Sequence, residues 1–300
     1  MKKSEKTHPF VLGGTIAFHF CGDPCLPDLL KKLHPSAVAV PAKDSIALWC
    51  GSEARKMLKD QKWHFYKGVP WKGCVRYNDS GRIEAICFYG LIFRQFLFFR
   101  IVFLPLLWRL AVAGGGFYTL GTAYRDAVET TFLFAHPGAG KTRYALEKLL
   151  TPECTLIGDG SLLYLPEQGI LSVIDEIELR NKTVSGLPFK KKLSWFRCLK
   201  LFLYDALSYL TSRKISFNLP LMTNALGLSP SNDNAARPHR ICLIKQGNAE
   251  VLSATRCSKE ITDYLADYHN HYDNIFEDAP PLGQSEKNIL EFCKKYSILD

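Results

Sequence analysis

The sequence predicts an α/β fold that contains a phosphate-binding loop. Three observations predict it: an apolar run (129–135), a glycine-rich turn and a helix-forming run (143–150) follow one another directly. The turn reads Ala135-His136-Pro137-Gly138-Ala139-Gly140-Lys141-Thr142. A buried strand, a glycine turn, a Lys-Thr pair and a helix, in that order, are the context in which such a loop binds phosphate. We therefore expect a nucleotide site in the middle of the chain.

Each residue of this loop has an expected task. Glycines let backbone N–H groups turn inward around phosphate oxygens, and the helix N-terminus adds positive potential. Lys141 is expected to reach the β- and γ-phosphates, and Thr142 to offer its hydroxyl to Mg²⁺. Ala135 stands where the strict pattern has glycine, which is tolerated at the end of a strand with negative φ. The alternative is a strand–helix turn with a surface lysine. The predicted nucleotide-binding residues are His136, Pro137, Gly138, Ala139, Gly140, Lys141, Thr142 and Arg143.

Asp159 is the second candidate site residue. The apolar strand Thr155–Ile157 is expected to end at Gly158-Asp159-Gly160. An acidic residue at the end of a strand beside the phosphate loop is placed to hold Mg²⁺. It could instead take a proton from a substrate hydroxyl. The alternative interpretation is an Asp-Gly turn that leads into a hairpin.

Composition limits the classes of protein to consider. The chain has 300 residues, of which 47% are hydrophobic and 22% charged, so it can bury a full core and is not a disordered chain. The net charge of +9 favours polyanionic partners such as nucleotides, although no nucleic-acid-binding motif is present. Ten scattered cysteines without a C-x-x-C pair favour buried thiols in a reducing, cytoplasmic compartment.

The most apolar region is Cys87–Gly116. No secretory signal precedes it, and Arg94, Arg100 and Arg109 interrupt it, so a membrane-spanning helix is not expected. Two core helices joined near Pro105 are the first interpretation. A peripheral segment that contacts a membrane surface is the alternative, because aromatic residues and arginines alternate there.

Residues 1–85 are expected to form a small α+β unit. The Asp79-Ser80-Gly81 turn predicts a hairpin, and Ser52 is the expected N-cap of a helix. The predicted strands are Thr15–Phe20, Ala37–Val40, Ser45–Cys50, Cys74–Tyr77 and Ile83–Phe88, and the predicted helices are Leu26–Leu33 and Ser52–Lys59.

Residues 86–300 are expected to form the nucleotide-binding domain. Its predicted strands are Phe117–Ala123, Glu129–Ala135, Thr155–Ile157, Leu162–Leu165, Ile170–Ile174 and Arg240–Lys245. Its predicted helices are Arg143–Leu150, Leu193–Leu210, Ser258–Tyr268 and Ser285–Tyr296, the last two with their first serine as N-cap. Residues 228–238 read as a polar loop. The lysines of Phe189–Lys192 form either a solvated surface or a binding site for an acidic partner or lipid.

The motifs resemble those of the HPr serine kinase and phosphoenolpyruvate carboxykinase superfamily, and more narrowly the short HPr-kinase-like proteins. The family loop reads like G-x-S-G-x-G-K-S/T, which residues 135–142 resemble. The next strand of the family ends in Asp-Asp, and Leu156-Ile157-Gly158-Asp159-Gly160 keeps the first of these. The resemblance covers residues 85–180, with a weaker match at Cys25–Leu29.

This resemblance implies a phosphate-loop kinase core with a mixed sheet and flanking helices. It implies ATP and Mg²⁺ as cofactors, and transfer of a phosphoryl group to a hydroxyl, such as a serine of a protein or peptide. Lys141 and Asp159 are the implied catalytic residues, and Thr142 and Asp159 the implied metal ligands. HPr kinases form symmetric oligomers, so a homo-oligomer is implied as well.

Two departures from the family leave a second function open. Gly160 replaces the second aspartate, and Leu120-Gly121 stands where family members often have a histidine. A degenerate nucleotide-binding scaffold or sensor that docks to a protein or a membrane surface is therefore the alternative. Glu176 or Glu178 could supply the missing carboxylate in a working kinase. A carboxykinase reaction is disfavoured because the chain is short for it.

Overall fold

The protein forms two compact units in the computed structural model. The first unit comprises Met1–Gly114 with Leu265–Leu282, and the second Gly115–Tyr264 with Gly283–Asp300. The structure describes residues 7–12, 16–21, 45–66, 68–92, 94–135, 138–173, 176–210, 219–226, 228, 240–245, 248–250, 254–270, 275–276 and 281–296.

The first unit contains a mixed six-stranded sheet. Its strands are β1 (Thr7–Leu12), β2 (Ile16–Cys21), β3 (Ile46–Cys50), β4 (His64–Tyr66), β5 (Val69–Tyr77) and β6 (Ile83–Gly90). Their order is β1-β2-β3-β6-β5-β4, with β3 parallel to both β2 and β6. Helix α1 (Gly51–Met57) follows β3, and Ala54 packs with Leu58, Cys87 and Tyr89.

Most predicted elements of this unit are confirmed. The strands expected at Thr15–Phe20 and Ser45–Cys50 are β2 and β3, and the predicted hairpin is β5–β6. The Asn78 side chain closes that hairpin, since its Oδ1 accepts hydrogen bonds from the backbone N–H of Ser80 and Arg82. The predicted elements at 26–33 and 37–40 lie outside the described residues.

The prediction of two helices joined near Pro105 is wrong. One helix, α2 (Arg94–Ala113), runs through this position, and its segment Phe98–Phe103 has π-helical hydrogen bonding. Proline lacks an N–H and its ring clashes with the carbonyl four residues earlier in an α-helix. That carbonyl belongs to Ile101, and it accepts a hydrogen bond from the Ile275 N–H at 3.1 Å. The π turn therefore absorbs the proline without ending the helix.

Burial accounts for the apolar character of α2. By length and composition this helix could cross a membrane, but 67% of its most apolar stretch is buried inside the protein. Ile101, Val102, Phe103, Leu106 and Leu107 are all inaccessible to solvent. A core helix of a globular protein has these properties, so they are weak evidence for a membrane span.

The second unit is built on another mixed six-stranded sheet. Its strands are β7 (Phe117–Arg125), β8 (Thr130–Phe134), β9 (Thr155–Leu165), β10 (Gly169–Ser172), β13 (Arg240–Lys245) and β14 (Asn248–Glu250). The order is β10-β9-β7-β8-β13-β14, and among the described strands of this sheet only β8 and β13 pair in parallel. A separate antiparallel pair joins β11 (Glu176–Leu179) to β12 (Leu219–Met222).

Helices cover both faces of this sheet, as expected for the α/β class. Along β8 the side chains alternate: Phe132 and Phe134 contact Phe292 and Tyr264 on one face. Leu133, on the other face, packs with the cluster around helix α3 (Lys141–Lys148). The remaining helices are α4 (Asn181–Val184), α5 (Phe189–Lys192), α6 (Trp195–Leu210), α7 (Ala254–Asn270) and α8 (Leu282–Tyr296), with a 3₁₀ turn at Thr223–Leu226.

All three predicted serine N-caps are wrong. Helix α1 has Cys50 at its N-cap, and Ser52 is its second residue. Ser258 and Ser285 lie inside α7 and α8, and both are buried. Helices α1, α7 and α8 begin upstream of these serines, at Gly51, Ala254 and Leu282, so none of the three can be an N-cap. Ser52 is exposed on α1.

Candidate functional site

The glycine-rich loop joins the end of β8 to the start of α3. Gly138 and Gly140 have φ values of 84° and 105°, in the left-handed region that favours glycine. Ala139 between them packs against the cluster of Leu133 and Ala145. His136 and Pro137 lie outside the described residues. The predicted strand–glycine turn–helix order is thus present, and its glycines occupy positions that need them.

The N-terminus of α3 opens onto this loop. Gly140 is the N-cap and has no side chain to satisfy the first-turn N–H groups. The first backbone hydrogen bond of the helix runs from the Tyr144 N–H to the Gly140 carbonyl at 2.9 Å. The N–H groups before Tyr144 therefore remain directed at the loop, as in an anion-binding helix end.

The Lys141 side chain makes a hydrogen bond to the backbone at the start of the loop. Its Nζ donates a hydrogen bond to the Ala135 carbonyl oxygen at 2.7 Å, which links the first residue of α3 to the residue that follows β8. Burial lowers the pKa of Lys141 to about 8, and the opposing charge of Asp159 raises it only in part. The ammonium group is therefore held in a poorly solvated position beside a carboxylate.

Asp159 lies in the middle of a strand, and the prediction that a strand ends there is wrong. Strand β9 continues for 11 residues from Thr155 to Leu165. Gly158 serves close packing, since a Cβ there would lie 2.5 Å from Ser172 Oγ. Gly160 has open space around it but a φ of 85°, in the left-handed region that favours glycine. Asp159 is cross-strand partner to Thr122 on β7, just after a shift of register between the two strands.

Two hydroxyl groups hold the Asp159 carboxylate. Thr142 Oγ1 lies 3.1 Å from both Asp159 Oδ1 and Oδ2, within hydrogen-bond distance. The Thr122 hydroxyl donates a second hydrogen bond to Oδ1. The predicted pair Thr142 and Asp159, 17 positions apart in the chain, is therefore in direct contact.

Burial raises the pKa of Asp159 to about 6. The Thr122 hydrogen bond, the Lys141 charge and the Thr142 hydrogen bond oppose this shift, and the negative charge of Glu178 adds to it. A carboxyl group with this pKa can change protonation state near neutral pH, which is a property of functional carboxylates. The Lys141 ammonium group and the Thr142 hydroxyl act on the same carboxyl group.

The site supplies oxygen ligands of the kind that Mg²⁺ prefers. In the described part of the chain, no three His, Cys, Asp or Glu side chains are grouped to cage a metal ion. Mg²⁺ in phosphate-transfer sites is commonly held by one or two protein oxygens together with substrate phosphates and water. The Thr142 hydroxyl and the Asp159 carboxylate fit that requirement.

Arg143 is directed away from the loop. Its Nη1 donates hydrogen bonds to the carbonyl oxygens of Lys182 at 3.0 Å and Ser185 at 2.9 Å. Its Nε pairs with Glu147 at 2.9 Å. In this arrangement the guanidinium group connects α3 to the end of α4, and its predicted role in nucleotide binding stays a prediction.

The local structure at Gly160 and at Leu120-Gly121 bears on why these positions differ from the family pattern. Gly160 has φ of 85°, so the backbone at the place of the second aspartate is left-handed. The histidine of the family pair would fall at Leu120, which is half-buried on β7. The next residue, Gly121, has no room for a larger side chain, since a Cβ there would lie 2.6 Å from the Phe132 ring. Glu178 lies exposed on β11, and its charge acts on Asp159.

Thr122 is the functional candidate that sequence reasoning missed. Its signal was a polar residue in the mostly apolar strand Phe117–Arg125, where Thr119 and Thr122 are both buried. Only the pairing of β7 with β9 reveals that it faces Asp159. Buried polar side chains usually have a hydrogen-bond partner, so a partner for Thr122 could have been expected, although not its identity.

Comparison of the chain with models of known protein families gives no match. Comparison with curated proteins gives no match either. The resemblance to HPr-kinase-like proteins therefore rests on the residues of the two motifs alone.

Proposed function

We propose that this chain is an ATP-binding kinase that transfers a phosphoryl group to a hydroxyl, such as a serine of a protein or peptide. The observation that carries the proposal is the contact of Thr142 with the Asp159 carboxylate, beside Lys141 and a loop of left-handed glycines. These are the parts that phosphoryl transfer requires: a phosphate cradle, a cation and ligands for Mg²⁺.

In this proposal each residue has a defined role. The N–H groups of Gly138, Ala139 and Gly140 bind the phosphate oxygens, and Lys141 neutralises charge between the β- and γ-phosphates. Thr142 and Asp159 hold Mg²⁺, which when bound neutralises charge on the phosphate oxygens. Thr122 positions Asp159 through its hydrogen bond.

Removal of the proton from the acceptor hydroxyl needs a carboxylate as well. Asp159, with its pKa of about 6, suits that task, but one carboxylate cannot bind the metal and accept the proton at once. Glu178 is the described carboxylate whose charge acts on Asp159, and it is our candidate for the second role. Phosphoryl transfer depends chiefly on positioning and charge stabilisation, so a single aspartate supports slow turnover.

A catalytically degenerate nucleotide-binding scaffold or sensor is the second candidate. The observation that favours it is the left-handed backbone at Gly160, which disfavours an aspartate in place of the missing one. Such a protein binds ATP through the same loop but does not turn it over.

The two candidates differ in ADP formation. We would measure Mg²⁺-dependent formation of ADP, with water as surrogate acceptor, for the wild type, Asp159→Asn and Lys148→Ala. Lys148, exposed in the last turn of α3, is a control for loss of charge in the same helix. A kinase forms ADP in the wild type and the control but not in Asp159→Asn. ATP binding without any ADP formation supports the scaffold.

A further inference from the structure

Helix α6 exposes a broad apolar surface to solvent. Trp195 and Leu210 are each 77% exposed, and Tyr209 is 75% exposed. The other large apolar side chains on this surface are Phe196, Phe202, Leu203, Leu207 and Leu199. We call these eight residues the apolar stripe. Soluble proteins rarely expose so many large apolar side chains together, and such patches mark interaction sites.

The opposite side of the helix anchors it to the second unit. Leu201 is buried in the core cluster of this unit, and Cys198 and Tyr204 pack against the same cluster. Both charged residues within this face, Arg197 and Asp205, are half-buried. At 100° per residue the stripe therefore lies on the side away from the core, and charge lies on the inner side. This is the reverse of the usual pattern for a surface helix.

Basic residues accompany the apolar stripe. Lys190, Lys191 and Lys192 are exposed on α5, which is held in place by the buried side chain of Phe189. Lys200 lies beside the stripe, with Nζ 4.8 Å from the centroid of the Phe196 ring. Residues 189–210 contain five basic residues and one acidic residue.

This combination identifies the partner by its chemistry. A second copy of the chain would bring another set of lysines to the same place, and like charges oppose that association. An anionic lipid surface suits both the apolar stripe and the lysines. It accepts apolar side chains below its headgroups and attracts lysines to its phosphates. Tryptophan and tyrosine, which stand near the two ends of the stripe, favour the same interface.

We propose that helix α6 binds to the surface of an anionic lipid bilayer. The helix lies in the plane of the interface over its length of about 24 Å. The apolar stripe inserts below the headgroups, and Lys190, Lys191, Lys192 and Lys200 contact lipid phosphates. This binding is independent of the nucleotide site, since no residue of that site belongs to the stripe.

The test is flotation of the full chain with lipid vesicles. Wild-type protein is mixed with vesicles of phosphatidylcholine alone and of an equimolar mixture with phosphatidylserine. The variant Leu203→Glu places a charge in the stripe. Leu150→Glu is its matched control, because Leu150 lies in the same unit outside the stripe and is 46% exposed, against 47% for Leu203. The triple variant Lys190→Gln/Lys191→Gln/Lys192→Gln tests the lysines.

We expect the wild type and Leu150→Glu to float with the anionic vesicles and not with the neutral ones. Leu203→Glu should bind at least about tenfold more weakly, which corresponds to the loss of one buried leucine. The triple lysine variant should bind on the order of a hundredfold more weakly, and added salt should release the wild type.

Other outcomes overturn the proposal. Wild-type protein that is folded by circular dichroism yet fails to float excludes lipid as the partner. Equal binding of the wild type and Leu203→Glu excludes the apolar stripe as the binding surface, and equal binding to both vesicle types excludes the role of the lysines. If light scattering shows a dimer that Leu203→Glu converts to a monomer, and the wild type does not float, the stripe joins two copies of the chain.

Discussion

Asp159 and Lys141 are ionisable groups in positions where burial disfavours their charged forms. Burial raises the pKa of Asp159 to about 6 and lowers the pKa of Lys141 to about 8. Each group stabilises the ionised form of the other, but neither compensates fully for the loss of water. The charged forms of these two groups therefore lower the stability of the folded protein. Such a cost to stability is expected at sites where activity depends on a destabilised arrangement.

The variant Asp159→Asn should be more stable than the wild type near neutral pH. A carboxyl group whose pKa is raised by folding destabilises the folded state when ionised, by on the order of 1–3 kcal/mol here. The gain should vanish as pH falls from about 6 to about 4, because the folded wild type then binds a proton that the unfolded chain lacks. Urea unfolding of both proteins across this pH range measures it.

A less stable Asp159→Asn variant would show that the carboxylate contributes more through its hydrogen bonds to Thr122 and Thr142 than its burial costs. The variant Asp126→Asn is the control. Hydrogen bonds from the backbone N–H groups of Glu129 and Val128 hold the pKa of Asp126 below its usual range, so this substitution should lower stability near neutral pH.

Gly160 should resist substitution because of its backbone. An L-residue with φ near 85° is strained by about 1–2 kcal/mol, although a Cβ there would meet no atom within 4 Å. We expect Gly160→Ala to lower the free energy of unfolding by that amount. Gly283→Ala is the control, since that glycine lies in a helix with equal room and should tolerate alanine. If Gly160→Ala had the same free energy of unfolding as the wild type, the backbone at this position would not be strained for an L-residue.

At the scale of elements, Arg143 connects two helices. Its hydrogen bonds to the Lys182 and Ser185 carbonyls should stabilise the junction of α3 and α4. We expect Arg143→Ala to lower the free energy of unfolding by about 1 kcal/mol, as for the loss of partly exposed hydrogen bonds. Its affinity for ATP should change little, and calorimetry checks this. If Arg143→Ala lost much of its ATP affinity while its free energy of unfolding stayed unchanged, Arg143 would be a nucleotide-binding residue.

Strands were predicted well because their signal is local. The predicted strand Arg240–Lys245 coincides with β13, and the hairpin around Asp79–Gly81 is present. Apolar runs bounded by turn residues indicate a buried strand without any knowledge of its neighbours. The glycine turn between β8 and α3 was predicted for the same reason, since its residues lie within one short segment.

The failures share a cause, which is contact with distant parts of the chain. Pro105 does not end α2 because Ile275, far away in sequence, binds the carbonyl that the proline leaves without a donor. Gly158 does not end a strand because it makes room for Ser172. Ser258 and Ser285, predicted as N-caps, are buried residues inside longer helices. Local rules for proline, glycine and serine describe what a segment prefers when tertiary contacts do not intervene.

At the scale of the whole molecule, the candidate site belongs to the second unit alone. Its residues come from β7, the loop after β8, the first turn of α3 and the middle of β9. The sheet brings these four segments together, since β7 pairs with both β8 and β9. Lys141, Thr142 and Asp159 could be predicted as candidates from the sequence, but the contact of Thr142 with Asp159 depends on this strand order.

Calorimetric titration of the purified protein with ATP, in the presence and absence of Mg²⁺, tests the central claim most directly. We predict micromolar binding that Lys141→Ala abolishes, that Lys148→Ala leaves intact, and that depends on Mg²⁺ in the wild type but not in Asp159→Asn. That Mg²⁺ dependence should weaken as pH falls below about 6, because a protonated Asp159 is a poor metal ligand. ATP binding that is the same in Lys141→Ala and the wild type, or no binding by the folded wild type, would contradict the account.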